Sequence, residues 1–183
     1  MSKPIISVPH AVLRAKSNPF TDFGPETQAQ VKDLVDSLRS AKEPEGVGLS
    51  FPQIGLSSRG FVTYLDRKVR VYLNPQILDE DDKKTLGGTL DRPTLEGCLS
   101  IPWLYGPVWR PKKIKILAYN EYGVEFTKTL SSFPARLFYH ELDHLEGILF
   151  TDYTLRSHLP LYFLDHVEDK FIEVEDPSLV IKW

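Results

Sequence analysis

The sequence predicts an α+β fold, with one domain over residues 1–183 in which antiparallel strands pack around a central helix. Two patterns favour this class. Apolar and polar residues alternate over 114–119, as in a half-buried strand, and apolar residues are frequent enough over 130–149 to hold a helix in a core. With 183 residues and 42% hydrophobic side chains, the chain is long enough to bury a core as a single domain.

The first half of the chain is expected to contain one helix and a pair of strands. Pro25 stands at a favourable helix start, and apolar residues then recur at helical spacing, so a helix is predicted over 25–41. The segments expected after it are a turn-rich stretch over 46–55, strands over 61–65 and 69–73, and a charged loop over 79–84.

The second half is expected to contain a hairpin and then the central helix. The strand over 114–119 is followed by a turn and by a returning strand over 124–130. A helix is predicted over 134–146, with Gly147 as its stop. These elements place the central helix directly after the predicted hairpin.

The C-terminal tail, residues 154–183, has a weaker pattern than the rest of the chain. We interpret its apolar residues as a short helix over 159–167 followed by a strand over 171–174. No function is predicted for this segment.

Composition excludes several classes of protein. A net charge of −3 without a basic stripe argues against a nucleic-acid binder, and no apolar run approaches the roughly 18–20 residues that a membrane span needs. A single cysteine rules out an internal disulfide and fits a reducing compartment. Because the N-terminus lacks the apolar core of a signal peptide, the expected location is cytoplasmic, or an organelle matrix after loss of a transit peptide.

The segment His-Glu-Leu-Asp-His at 140–144 carries the most specific chemistry. On a helix, positions i and i+4 lie one turn apart on the same face. His140 and His144 are therefore expected to converge on one cation, with Glu141 beside them as a proton carrier. The central helix is thus predicted to bind a metal, and the chain to be a metal-dependent hydrolase.

A third metal ligand is needed, and three ways to complete the site were compared. One family of proteases places a further histidine where this chain has Phe150, and another uses a glutamate from a later helix. Glu168, Glu173 and Glu175 lie downstream, but without a clear helical pattern. A thiolate suits a soft divalent metal, so Cys98 is favoured on chemistry, although spacing alone does not decide. Its alternative is a small inert core residue.

Three separated segments resemble the signatures of peptide deformylases. Residues 46–55, GVGLSFPQIG, resemble the first signature, GxGLAAxQxG; residues 96–100, EGCLS, match the second; and residues 140–147, HELDHLEG, match the third, HExDHLxG. Their order and separations also fit. The resemblance covers roughly residues 5 to 153, and three such motifs in order are much more specific than one.

This resemblance implies a peptide-deformylase-like fold and one divalent metal ion held by Cys98, His140 and His144. Members of the family typically use Fe2+, and Zn2+, Ni2+ or Co2+ are alternatives. The implied reaction removes the formyl group from the N-terminal formylmethionine of newly made peptides and releases formate. Nascent N-formylmethionyl peptides are therefore the expected partners, and the ribosome exit region is a further candidate.

The resemblance and the residue types together assign the catalytic roles. Glu141 would take a proton from water and pass it to the departing amine. The side-chain amide of Gln53 and the backbone N–H of Leu99 are the candidate donors to the oxyanion, and losing one such donor typically costs about 10²–10³ in rate. The alternative for Gln53 is a surface glutamine after Pro52.

Residues around the predicted metal are given supporting roles. Glu96, Asp143 and Arg110 are expected to orient the histidines or to brace the metal segment, and simple ion pairing is the alternative for Asp143 and Arg110.

Four residues are expected to bind substrate. Val47 and Gly48 are candidates for backbone hydrogen bonds to an extended peptide. Phe133 and Leu137 are expected to line a pocket for the methionine side chain, although their helical spacing also fits plain core.

The chain departs from the family signatures at several positions. Ser50 and Phe51 replace two alanines, Tyr139 replaces a glutamine, and Trp103 adds bulk after the cysteine, as does Trp109. These changes leave the expected ligands in place, so a shifted N-formyl substrate is one alternative. A non-catalytic metal-binding homologue is a second, and a peptidase that uses a downstream glutamate is a third.

Overall fold

Antiparallel strands, α-helices and 3-10 helices are present in the computed structural model, which describes residues 1–43, 45–89, 91–165, 167–177 and 181. The strands are β1 (Gly48–Ser50), β2 (Gly60–Leu65), β3 (Lys68–Glu80), β4 (Lys84–Thr85), β5 (Leu95–Cys98), β6 (Ile101–Pro107), β7 (Arg110–Pro111), β8 (Lys113–Tyr119), β9 (Glu125–Ser131), β10 (Tyr162–Asp165) and β11 (Lys170–Glu173). The long α-helices are α1 (Pro25–Ser40) and α2 (Phe133–Leu145), α3 (Phe150–Arg156) is short, and 3-10 helices cover Ala11–Arg14 and Phe51–Ile54.

The strands form two sheets and a short ladder. The larger sheet has the order β1-β2-β3-β8-β9, the smaller sheet has the order β11-β10-β6-β5, and β4 pairs with β7. All these pairings are antiparallel. Strands β1 and β5 are therefore edge strands of different sheets.

Helix α2 packs on the larger sheet, where it contacts β1, β2 and β9. Its Phe138 and Leu145 share a buried cluster with Phe61 of β2 and Ile116 of β8, and the rings of Phe61 and Phe138 meet edge to face at 5.1 Å. Burial of such side chains stabilises the fold by about 1.5–3 kcal/mol each. The predicted α+β fold with a central helix is confirmed.

Two further clusters fix the strands that border α2. Leu34 of α1 packs with Leu49 of β1 and with Phe51. Under the smaller sheet, Leu104 of β6 packs with Phe150 of α3, and Cys98 belongs to this cluster. As a result, β1 and β5 each have one end anchored in a core next to α2.

The predicted boundaries of the regular elements are confirmed to within a residue or two in most places. The charged loop predicted over 79–84 is wrong in part, because Asp79 and Glu80 still belong to β3 and pair with Lys115 and Ile114 of β8. Sequence alone does not reveal this extension, since the ladder is provided by a strand more than thirty positions away.

The tail differs most from its prediction. The helix predicted over 159–167 is wrong: Tyr162–Asp165 is strand β10, which pairs with β6, and His166 lies outside the described residues. The strand predicted over 171–174 is confirmed within a residue as β11. A local pattern cannot identify β10, because its pairing partner lies nearly sixty residues earlier. Among the described residues, no helix is both long and apolar enough to cross a membrane.

Candidate metal centre

The side chains of a cysteine and two histidines converge between the end of β5 and the second half of α2. Cys98 Sγ lies 3.2 Å from His144 Nε2, and one ligand atom from each of Cys98, His140 and His144 lies within 4.8 Å of the others. All three residues are buried. A thiolate and two imidazoles at this separation fit a borderline-soft divalent cation in a tetrahedral site with one position left open.

The charges around Cys98 favour its metal-binding form. Burial alone would raise the pKa of the Cys98 thiol, but His144 and His140 beside it outweigh burial and lower the pKa to about 5. The cysteine is then a thiolate at neutral pH, which is the form that binds a metal.

Glu141 lies in the same buried site, next to strand β1. Burial raises the pKa of its carboxyl to about 7, against the opposing effect of His140 and His144. A Cβ atom added to Gly48 would lie only 2.3 Å from Glu141 Oε1, so glycine is what allows the strand and the carboxylate to approach. Glu141 Oε2 and His144 Nδ1 have no hydrogen-bond partner among the described residues. Such unpaired buried atoms are rare, and the unpaired oxygen of Glu141, a residue that lines a cavity, fits a site that takes a further ligand.

Gln53 is buried, so the surface alternative for it is wrong. Its Oε1 accepts hydrogen bonds from the backbone N–H of Ser50, at 2.8 Å, and from the Ser50 hydroxyl, at 2.9 Å. These bonds fix the amide so that Nε2 points to Cys98 Sγ, at 3.5 Å, and to Ser100 Oγ, at 3.3 Å. The donor end of the amide therefore faces the candidate metal centre.

A cavity of about 220 Å³ opens beside these residues, and sequence-predicted residues form much of its lining. Leu99 follows Cys98 in the turn between β5 and β6 and lies in its wall. Val47 and Phe133 are exposed at its mouth, whereas Leu137 is buried deeper. Phe133 is thus not a core residue, and the four predicted substrate-binding residues, Val47, Gly48, Phe133 and Leu137, line one cavity.

A network of buried charges lies behind His140. Both carboxylate oxygens of Glu96 accept hydrogen bonds from the guanidinium of Arg110, at 3.0 and 2.9 Å, and Arg110 also bonds Asp143. His140 Nδ1 lies 3.0 Å from Glu96 Oε2. A hydrogen on Nδ1 is donated to Glu96 and leaves Nε2 as the ligand atom.

Glu96 contacts both Arg110 and His140 in this network. Burial would raise the pKa of the Glu96 carboxyl, but Arg110 and His140 outweigh it and hold the pKa below its usual range. Since Arg110 joins Glu96 to Asp143, it connects β5 with α2.

Arg136 belongs to the same network and was missed by sequence analysis. It donates to Glu96 Oε1 at 2.8 Å, and to the backbone carbonyls of Val108 and Thr85 at 2.8 and 2.9 Å. It stands one helical turn before His140 on α2, and this spacing is the signal that the sequence offers, although a charged residue on a helix is ordinarily exposed.

The departures from the family signatures lie in different places. Phe51 is fully buried and packs edge to face with Phe20 at 5.4 Å. Tyr139 bonds Glu80 through its hydroxyl. Trp103 lines the cavity, together with Tyr105, which sequence analysis did not single out. Trp103 is thus the departure that contributes to the cavity wall.

Comparison with known proteins agrees with this geometry. The family model for polypeptide deformylase matches residues 2–158. Peptide deformylase 1 of Bacillus subtilis is 34% identical over 175 residues, covering 94% of this chain and 98% of that protein. The peptide deformylase of Pseudothermotoga lettingae is 36% identical over 152 residues, covering 83% of this chain and 82% of that protein.

Solved structures give the same result. The crystal structure of peptide deformylase from Thermotoga maritima has a TM-score of 0.76 and 31% identity, covering 84% of this chain and 97% of that one. The chain therefore belongs to the polypeptide deformylase family of enzymes.

Proposed function

We propose that the chain removes the formyl group from N-terminal formylmethionine of newly made peptides and releases formate. The observation that carries this proposal is the buried cluster of Cys98, His140 and His144, with Glu141 and Gln53 on the wall of the same cavity. We propose Cys98, His140 and His144 as the residues that bind one divalent cation, Fe2+ in the cell, with Zn2+, Ni2+ and Co2+ as alternatives. When bound, this cation would supply Lewis-acid chemistry, which makes water more acidic and polarises a carbonyl.

Glu141 is proposed as the residue that moves the proton. The reaction adds water oxygen to the formyl carbon and breaks the bond from that carbon to the amine nitrogen. One proton must leave the water and one must reach the departing amine, and a single carboxylate beside the reacting carbon serves both steps. The position of Glu141, buried against Gly48 with Oε2 unpaired among the described residues, supports this role.

Gln53 and Leu99 are proposed to stabilise the negative charge on the formyl oxygen. The Gln53 amide is already oriented by Ser50, so its Nε2 faces the cavity in which charge would develop. The backbone N–H of Leu99 would act from the turn that follows Cys98.

The substrate is proposed to bind as an extended strand. Strand β1 pairs with β2 on one side only, and on that side the carbonyl of Val47 accepts from the Tyr64 N–H at 2.7 Å. Gly48 is therefore proposed to bond an added strand that lies in the cavity, with the Val47 side chain beside it. Leu137 and Phe133 would contact the methionine side chain. Behind the site, Glu96, Arg110 and Asp143 are proposed to keep His140 in its ligating orientation.

The setting of the reaction is also a proposal. Newly made peptides emerge at the ribosome exit region, which we propose as a place of action, in the cytoplasm or in an organelle matrix. Trp103 in the cavity wall favours one variation, a preference for a shifted N-formyl substrate.

The test is formate release from formyl-Met-Ala-Ser by protein loaded anaerobically with Fe2+, beside a Glu141→Gln control. We expect turnover in the parent and a loss of at least about a hundredfold in the control, at equal metal content. If both proteins bind one metal per chain and neither releases formate from any formylated peptide, the non-catalytic alternative is correct.

A further inference from the structure

The wall of the cavity beside Cys98 contains an aromatic ring from β6. Gly97 of β5 pairs with Tyr105 of β6, and a Cβ atom on Gly97 would lie 2.5 Å from a ring carbon of Tyr105. The ring therefore lies flat over the backbone next to Cys98, and Tyr105 lines the cavity. A peptide that leaves the cavity on this side passes this ring.

The C-terminal hairpin β10–β11 continues this aromatic wall outward. Phe171 of β11 meets Tyr105 edge to face, with ring centroids 5.1 Å apart, and lies 6.5 Å from Tyr162 of β10. Tyr162 pairs directly with Tyr105, so both side chains are on one face of the sheet. We call Tyr105, Tyr162 and Phe171 the aromatic ledge. Phe171 is 48% exposed, so this ledge presents apolar surface outside the cavity.

The hairpin is held firmly enough to serve as a binding surface. The backbone N–H of Val174 donates to the carbonyl of Leu161 at 2.8 Å, and Leu161 is fully buried. Strand β10 also pairs with β6. The hairpin lies beyond residues 2–158, the part that the family model matches.

We infer that the aromatic ledge binds apolar side chains at the third and fifth residues of the formylated peptide. This inference rests on the proposed function, in which the first two residues occupy the cavity. The ledge is continuous with the cavity because Tyr105 belongs to both. Neighbouring rings of the ledge lie 5.1 and 6.5 Å apart. An extended peptide advances about 3.4 Å per residue and turns alternate side chains to one face, so the side chains of its third and fifth residues match this spacing. The occupant is thus the peptide that already lies in the cavity.

The test compares kcat/KM for formyl-Met-Ala-Leu-Leu-Leu with that for formyl-Met-Ala-Ser-Ser-Ser. We expect the parent to prefer the leucine peptide about three- to tenfold, the range of a single aromatic contact. Phe171→Ser should reduce this ratio to about one. Ile172→Ser is the matched control, since Ile172 is the next residue on β11, faces the other side of the sheet and is 45% exposed. It should keep the parent's ratio.

The outcomes separate this inference from the proposed function. Equal kcat/KM for the two peptides in the parent, or equal loss of the preference in both serine variants, would overturn the ledge while formate release still supports a deformylase. Absence of formate from either peptide with metal-loaded parent would overturn both.

Discussion

The interior of the site and its mouth are built in opposite ways. In the interior, Glu96, Arg110 and His140 are buried and bonded to one another, so the loss of one partner leaves a buried charge unpaired. At the mouth, Val47 and Phe133 are apolar and 39% and 46% exposed. We therefore expect changes in the interior to reduce metal binding and the free energy of unfolding. Changes at the mouth should alter substrate affinity alone.

The largest effect is expected for Cys98→Ala, which removes one of the three proposed ligands. We expect no stoichiometric metal after dialysis and no detectable formate release, because two imidazoles alone bind a divalent cation much more weakly. Metal content per chain measures the first effect. A chelator should lower the Tm of the metal-loaded parent and leave that of the variant unchanged. Retained metal and activity would instead point to a peptidase-like site completed by a downstream glutamate.

An intermediate effect is expected for Arg136→Met, which tests whether the interior depends on its charge pairs. The variant leaves two backbone carbonyls and one oxygen of Glu96 without this donor. The free energy of unfolding should fall by about 3–5 kcal/mol, as for other broken buried pairs. Urea denaturation of the metal-free protein measures it.

The matched control for this change is Lys32→Met, in the exposed Lys32–Asp36 pair of α1. The change in the free energy of unfolding for this variant should lie within the error of the measurement. Equal losses of unfolding free energy in the two variants would mean that the buried network contributes no more to stability than an exposed ion pair does.

The smallest effect is expected for Phe133→Ala at the mouth. KM for formyl-Met-Ala-Ser should rise about three- to tenfold, because a half-exposed ring contributes limited contact area. The turnover number kcat, metal content and Tm should stay close to those of the parent. A drop in kcat with an unchanged KM would show that Phe133 supports α2 instead of contacting substrate.

The parts of the fold that could be predicted are those with local signals. The i, i+4 spacing of His140 and His144 and the alternation over 114–119 depend on neighbouring residues alone. Strand β10 could not be predicted, because its conformation depends on pairing with β6.

The candidate site shows the same division. The motifs predict which residues approach the candidate metal centre. They do not predict which hydrogen bonds the polar atoms of these residues make. The orientation of the Gln53 amide depends in part on the hydroxyl of Ser50, and a hydrogen bond between two side chains leaves no pattern in the sequence. The burial of Arg136 in the charge network could not be predicted, because a charged residue on a helix is ordinarily exposed.

The contact between Gly48 and Glu141 limits how this enzyme can diverge. The strand proposed to bind substrate lies so close to the proposed base that even one methyl group at position 48 would displace the carboxylate. Selection for new substrates therefore cannot act through a side chain at this position without loss of the chemistry. Changes of substrate are therefore expected through the side chains of Val47 and Trp103, which also line the cavity.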